Sequence, residues 1–450
     1  MGIEIGSAFR FAIKKQTNAW GGLPLACGAG DGFEANSESI KANVELIMNE
    51  GLMGAAYRRA GSPGKKMPAG DIPFDLYYQD AAHRAIALVM GLDTMTNPGG
   101  VYQHDLSMVN THAGLIATII GAGNEGVWEW GSAKLKGFKI RWEEGKQRGE
   151  TTLSLVTHDQ NLNVGSPITN NIVATAAAAN GVKTIAAQPT TPSPITLLLT
   201  GVTELVTTIV YTNIKGDTVT EVHTRSTGGL TYTTLQYAKT VVSITCASIA
   251  GSGNFSAGVS NGVNNATTIA SVTYATQRDC SLFSQLRFYV NEQGGADFVP
   301  ATDEQFLSAF EVGVDLSLDQ RVTTEWGDRI SEPSTGGGGW PMMTVGFSFS
   351  AETDKNRRFI YDSFGKAQLK AKAVLTGPPI AATSVAHSIT VFMNALQLNE
   401  GEPDTGGPGV LAFDATGEAH SVLAVPTGFP AAMTQPGLIR IVNNLSSAII

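Results

Sequence analysis

Two stretches of this chain, about 270 residues apart, carry the same succession of patterns, and any fold must accommodate both. In the first, Ile40, Ala42, Val44, Leu46 and Met48 alternate with mostly polar neighbours, the period of a strand with one buried face. A polar loop containing Gly and Pro covers residues 49–70, after which Ile72, Phe74, Leu76 and Tyr78 alternate again. Asp80 is placed to cap a short helix in which Ala82, Ile86, Val89 and Met90 share a face, and Gly91 to end it. In the second stretch, Phe310, Val312, Val314, Leu316 and Leu318 alternate, a loop runs through Gly336 to Gly339, and Met343, Val345, Phe347 and Phe349 follow. Thr353 or Asp354 then caps a helix carrying Phe359, Ile360 and Phe364, closed by Gly365. Asp80 to Gly91 and Asp354 to Gly365 span the same eleven steps. The pattern predicts a duplicated β–loop–β–α unit, so that both halves share one fold.

More alternation follows each unit. Phe138, Ile140 and Trp142, a turn at 143–147, then Thr151, Leu153 and Leu155 predict a hairpin. After the second unit come Leu369, Ala371, Ala373 and Leu375, then Ile389, Val391 and Met393. Between the halves the composition changes. Residues 163–275 hold only seven charged side chains (Lys183, Glu204, Lys215, Asp217, Glu221, Arg225 and Lys239) among many Thr, Ala and Asn. Short runs such as ITLLLTGV, TTIVYTNI, TVTEVHT and TVVSITCAS recur there between turn residues, and could fill a small all-β core of their own. A Gly- and Pro-rich segment follows residue 401, and Leu438 to Val442 predicts a last strand. The expected fold is mainly β: two β-sandwich units, each with a short helix, at 1–162 and 276–450, and an inserted β-sandwich at 163–275.

Charged residues are 15% of the chain, against about 25% in ordinary soluble domains, which suits surfaces covered by neighbouring copies. A net charge of −9 argues against a nucleic-acid binder, whose affinity comes from clustered Lys and Arg. It leaves room for a protein past which DNA slides. Cys27, Cys246 and Cys280 form no CxxC pair and are expected as free thiols in a reducing compartment. The N-terminus lacks the apolar core of a secretory signal, and the apolar run at 113–123 falls short of the ~20 residues that span a bilayer. No membrane insertion is expected.

Four motifs invite a chemical reading. Gly121, Gly123 and Gly126 match GxGxxG, but the residues after them alternate and include Gly131, so a glycine-rich turn is expected, not a dinucleotide site. Gly64-Lys65-Lys66 lacks the remaining residues of a phosphate-binding loop. His104-Asp105 with His112, and His158-Asp159, have no third ligand at a suitable spacing. No catalytic constellation and no cofactor site is expected.

The first unit, SESIKANVELIMNEGLMGAAYRRAGSPGKKMPAGDIPFDLYYQDAAHRAIALVMG, resembles the tail tube proteins of siphovirus-type bacteriophages. There a strand, a long loop, a "G-D-I"-like strand entry and a short helix ending in Gly follow in this order. The second unit, through TVGFSFSAETDKNRRFIYDSFG, is similar, so the resemblance covers both halves. The inserted segment, through TTLQYAKTVVSITCASIAGSGNFSAGVSNG, resembles the Ig-like sandwiches of phage virion proteins.

The resemblance implies a virion structural protein, assembled in the host cytoplasm, whose sheets close into a channel when copies form stacked rings. Because each chain carries two units, three chains are expected per ring, with pseudo-sixfold symmetry; six whole chains is the alternative. The implied partners are further copies, a tape-measure protein and passing DNA in the lumen, and other tail proteins at the tube ends. The two long loops are expected to meet neighbouring copies through Arg58, Arg59, Lys65 and Lys66 in the first, and Trp326, Arg329 and Trp340 in the second. Other readings are a capsid decoration protein, a head–tail connector component, or an enzyme with an Ig-like accessory domain. The inserted domain is expected to project outward.

Overall fold

The computed structural model describes residues 9–47, 62–98, 100–123, 126–163, 171–189, 192–225, 231–259, 263–275, 279–321, 329–336, 339–349, 358–381, 383–404, 412–446 and 448–450. The first half comprises β1 (Arg10–Gln16), β2 (Gly32–Phe33), β3 (Val44–Ile47), β4 (Ser62–Lys66), β5 (Ala69–Asp75), α1 (His83–Met90), β6 (Gly91–Thr96), β7 (Tyr102–Met108), β8 (Ile116–Ala122), β9 (Val127–Glu143) and β10 (Glu150–Asn163). The inserted segment holds β11 (Val173–Ala177), β12 (Gly181–Val182), β13 (Ile195–Thr200), β14 (Glu204–Thr212), β15 (Thr218–Arg225), β16 (Thr231–Thr233), β17 (Thr240–Ala250) and β18 (Asn254–Val259), and returns through α2 (Ala266–Ala270). The second half comprises β19 (Leu286–Glu292), α3 (Pro300–Asp303), β20 (Glu304–Gln305), β21 (Ala309–Asp315), β22 (Met342–Phe349), α4 (Arg358–Gly365), β23 (Leu369–Pro379), β24 (Ala386–Asp404), β25 (Ala412–Ala419) and β26 (Gly437–Asn443). The chain is mainly β, and all strand pairing within its sheets is antiparallel.

The two halves share one order of strand pairing. In the first half β2 pairs β1, β1 pairs β8, β8 pairs β9, β9 pairs β10 and β10 pairs β5. In the second, β20 pairs β19, β19 pairs β23, β23 pairs β24, β24 pairs β25 and β25 pairs β22. The long strands β9 and β24 even share a defect. Each carries a bulge with a non-glycine residue at positive φ, Ser132 (48°) and Ala395 (39°). A bulge bends its strand, which lets one strand serve two differently oriented parts of a sheet.

Alternation buries one face where it was expected. Ile72, Phe74, Leu76 and Tyr78 are buried, as are Phe310, Val312, Val314, Leu316 and Leu318, and Met343, Val345, Phe347 and Phe349. Gly91 ends α1 in the left-handed conformation (φ 103°), its N–H bonding to Ala87 O. The helix starts later than Asp80: Ala82 stands at its N-cap, and Asp80 Oδ1 accepts from the Ala82 N–H at 3.4 Å. The cap proposed for α4 falls outside the described residues, and Phe364, expected on its buried face, is 67% exposed.

The first stretch departs further from expectation. Ile40 is buried, but Val44 and Leu46 are exposed, and among the described residues β3 pairs only with β4, a strand lying inside the expected loop. Residues 36–41 take the place beside β5 that β21 takes beside β22. Asn36, Ser39 and Lys41 donate their backbone N–H groups to Pro73, Asp71 and Ala69.

Strands of both halves lie in one sixteen-stranded sheet, and one hydrophobic core runs through both. Two joints connect them. β21 pairs β9, Ala309 opposite Glu143 through Asp315 opposite Gly137. β26 pairs β7, where Asp105 accepts from Arg440 Nε (2.7 Å) and Nη2 (2.9 Å). A planar guanidinium held at two points fixes register as well as charge. His104 ties the same joint to the C-terminus, contacting Asp93 Oδ2 and Leu445 O, each at 3.1 Å.

The inserted strands form two four-stranded sheets, β11-β18-β13-β16 and β12-β17-β14-β15, around a separate core that includes Leu197, Ile209, Tyr211, Ile244 and Phe255. Their roots are adjacent, since Asn163 Nδ2 donates to Asn264 O at 2.5 Å. The returning segment packs on the first half, Val272 joining Ala12, Cys27, Ile120 and Val127.

Candidate self-association surface

The β9–β21 joint repeats the sheet head to tail. Reading across it, the order is residues 36–41, β5, β10, β9, then β21, β22, β25, β24. The second four strands reproduce the first four with the same polarity. Two edges remain without a strand neighbour among the described residues: the outer side of residues 36–41, and the side of residues 397–404 of β24 that faces away from β25. On the first of these edges Glu38 Oε2 accepts from the Ile40 N–H at 2.7 Å, which satisfies a donor that a sheet edge otherwise leaves open.

Beyond the joint, the second long loop lies on the first half. Leu316 N–H donates to Lys136 O at 2.9 Å, and Trp20 Nε1 donates to Ile330 O at 3.0 Å. Glu332 Oε1 accepts from Lys134 Nζ and from the Gly114 N–H, both at 2.8 Å. Lys134 is buried, which lowers its pKa, and its ammonium also donates to His112 O. Arg329 pairs with Asp159 and donates to His158 O at 3.0 Å.

The first long loop is different. Its described part, the β3–β4 arm, exposes Val44, Leu46 and Ile47 by 47%, 60% and 57%. Of the residues expected to face neighbouring copies, Arg58, Arg59 and Trp326 lie outside the described residues. Lys65 is exposed on β4, while Lys66 is half-buried and its backbone bridges to Arg329, so the bases of the two long loops touch. Arg329 is engaged within its own chain. Trp340 is 87% exposed beside a cleft of about 1130 Å³, between Met108 to Asn110, Val422 and Pro436. Sequence reasoning missed the open edge of β24 and the exposed pair Tyr361 and Phe364 on α4, since exposure leaves no periodic signal.

Between β8 and β9 the Gly123 N–H donates to Gly126 O at 3.1 Å, and the element that follows is the strand β9. His112 donates through Nε2 to Val89 O at 2.7 Å. Among the described residues no three His, Cys, Asp or Glu side chains converge as a metal site, and no helix is long and apolar enough to cross a membrane.

One buried acid stands apart. Glu129 lies at the root of the insertion, and its Oε2 accepts from Val263 N–H (3.2 Å), Asn264 N–H (2.7 Å) and Asn264 Nδ2 (2.7 Å). Its Oε1 is buried with no hydrogen-bond partner, and burial raises its pKa to about 7. No family profile and no curated protein sequence matches the chain.

Proposed function

We propose that this chain is a structural subunit that joins copies of itself head to tail into closed rings, which stack into the tail tube of a long-tailed phage. The internal β9–β21 joint carries the reading. A chain that repeats a four-stranded module with constant polarity, and among its described residues leaves one open edge at each end, offers a heterologous interface. Such interfaces generate rings when the rotation closes, and closure removes the exposed edges.

Three chains would supply six modules around one channel. Each module would be a β-sandwich, and the inserted sheets an Ig-like domain on the outside. A net charge of −9 suits a lumen through which DNA passes without adhering. The tape-measure protein would occupy that lumen before the genome, and the assembly would do no catalysis. Negative-stain electron microscopy and native mass spectrometry of concentrated protein test this. Expected are annular particles of three chains, and stacks of them. A protein that stays monomeric at every concentration refutes the reading, and a ring of six whole chains refutes its stoichiometry.

A further inference from the structure

Two buried acceptors at the root of the insertion lack a donor. Glu129 Oε1 and Asn163 Oδ1 have no hydrogen-bond partner, although the Asn163 side chain reaches the Glu129 carboxyl. Asn163 Nδ2 is already committed to Asn264 O at 2.5 Å, so an oxygen is what Asn163 has left to offer. Two adjacent acceptors call for one donor, and a carboxyl supplies it only by carrying a proton. We infer that Glu129 is held as the neutral acid, that its hydroxyl donates to Asn163 Oδ1, and that this proton latches the inserted sheets to the first half.

The surroundings of Glu129 favour the neutral form. Across the sheet it stands between Ile120 on β8 and Asn161 on β10, neither of them charged. The returning segment brings it the Val263 and Asn264 N–H groups and the Asn264 side-chain amide, all on Oε2. The titratable groups near it from other elements are Cys27, ahead of β2, and Tyr237 of the insertion, and burial raises the pKa of both. Beyond Cys27, Lys14 and Arg84 pair with Asp31; beside Tyr237, Arg329 pairs with Asp159. The nearby cations are thus matched by other carboxylates. Burial accordingly raises the Glu129 pKa to about 7.

The proton closes a ring of hydrogen bonds. It runs from Glu129 Oε1 to Asn163, from Asn163 Nδ2 to Asn264 O, and from the Asn264 N–H back to Glu129 Oε2 at 2.7 Å. Asn163 ends the strand that leaves for the insertion, and Asn264 lies on the segment that returns, so the ring ties both roots to β9. Asn264 carries the tie onward: its Oδ1 accepts from the Cys27 N–H at 2.8 Å, and its Nδ2 donates to Leu25 O at 3.0 Å. Once the proton leaves, Oε1 and Asn163 Oδ1 repel each other around a buried charge that no cation offsets. The seat of the insertion therefore loosens as pH rises towards neutrality.

Infrared difference spectroscopy of the full chain against Glu129→Gln tests the proton. Wild type at pH 6 should show the C=O stretch of a protonated carboxylic acid that the variant lacks, fading as pH passes about 7. Asn163→Ala removes the acceptor, and the band should then fade at lower pH. Hydrogen exchange tests the latch. Relative to Glu129→Gln at the same pH, protection of the Val263 and Asn264 amides should fall about tenfold per pH unit from 4.5 to 7 and then level off. The Ile209 and Ile244 amides, in the core of the inserted sheets, should keep a constant ratio to the variant. Absence of the band, or a midpoint that Asn163→Ala leaves unchanged or raises, overturns the shared proton. Root amides whose ratio to the variant is the same at every pH, or that change no more than Ile209 and Ile244, overturn the latch.

Discussion

Glu129→Gln should remove a pH dependence of stability that runs opposite to the usual carboxylate. The folded protein holds this group fully buried with its pKa raised from 4.5 to about 7, desolvation being the largest cause. Below pH 4.5 the group is protonated whether the chain is folded or not, and it contributes nothing. Between pH 4.5 and 7 the folded state retains a proton that the unfolded state has released, so stability falls as pH rises, and above pH 7 the loss is complete. At about 1.4 kcal/mol per pKa unit the full loss is on the order of 3 kcal/mol. Gln keeps the acceptor that holds Val263 and Asn264. It places an amide N–H₂ where Oε1 lacks a partner, beside Asn163, whose own Oδ1 also lacks one.

The variant should therefore match wild type near pH 4.5 and exceed it by on the order of 3 kcal/mol at pH 8. Urea unfolding followed by tryptophan fluorescence measures this. The six tryptophans (Trp20, Trp128, Trp130, Trp142, Trp326 and Trp340) all lie outside the insertion, so the signal reports the two halves and the root of the inserted sheets. Other titrating groups are common to both proteins and cancel in the difference. A difference between variant and wild type that is the same at pH 5 and pH 8 refutes the reasoning.

Three further outcomes follow. His83 is buried, its Nε2 donates to Tyr77 O at 2.8 Å, and burial lowers its pKa to about 4; stability should fall as pH drops below 6.5, and His83→Gln should flatten that fall in the same urea assay. Lys134→Met removes one of the two partners of Glu332 and should loosen the second loop by about 2 kcal/mol, read as faster limited proteolysis at residues 329–332 with unchanged far-ultraviolet circular dichroism. Replacing residues 171–259 by a short Gly-Ser linker should leave the halves folded and ring formation intact, because Asn163 and Asn264 already meet at 2.5 Å; loss of rings from a folded variant places the insertion among the ring contacts.

Much of the fold was legible in the sequence wherever one face of a strand meets the core and the other does not. β5, β21 and β22 show this, as does the β9–β10 hairpin, because burial on one side enforces period two. Pairings between distant segments were not legible. Nothing local to Phe138 or Val314 says that they face each other across the joint, and β7 gives no sign of its partner β26. Glu129 was equally silent: the first part of β9 is buried on both faces, so an acid between Trp128 and Trp130 reads as an ordinary polar position. At Val44 and Leu46 the alternation was read as a buried face, and that was an error: both side chains are exposed.

That error bears on how the duplication works. If the two repeats were equivalent and self-sufficient, their loops would be covered alike. Instead Leu316 and Ile330 are buried against the first half, while Val44, Leu46 and Ile47 are exposed. The same asymmetry separates α1, covered by β6 and β7, from α4, whose Tyr361 and Phe364 face water. In the proposed ring, duplication would turn one of every two module contacts into an intramolecular one. That contact forms at high effective concentration and is locked further by Arg440 on Asp105. In that ring the remaining contact would be made by another copy added in the same orientation.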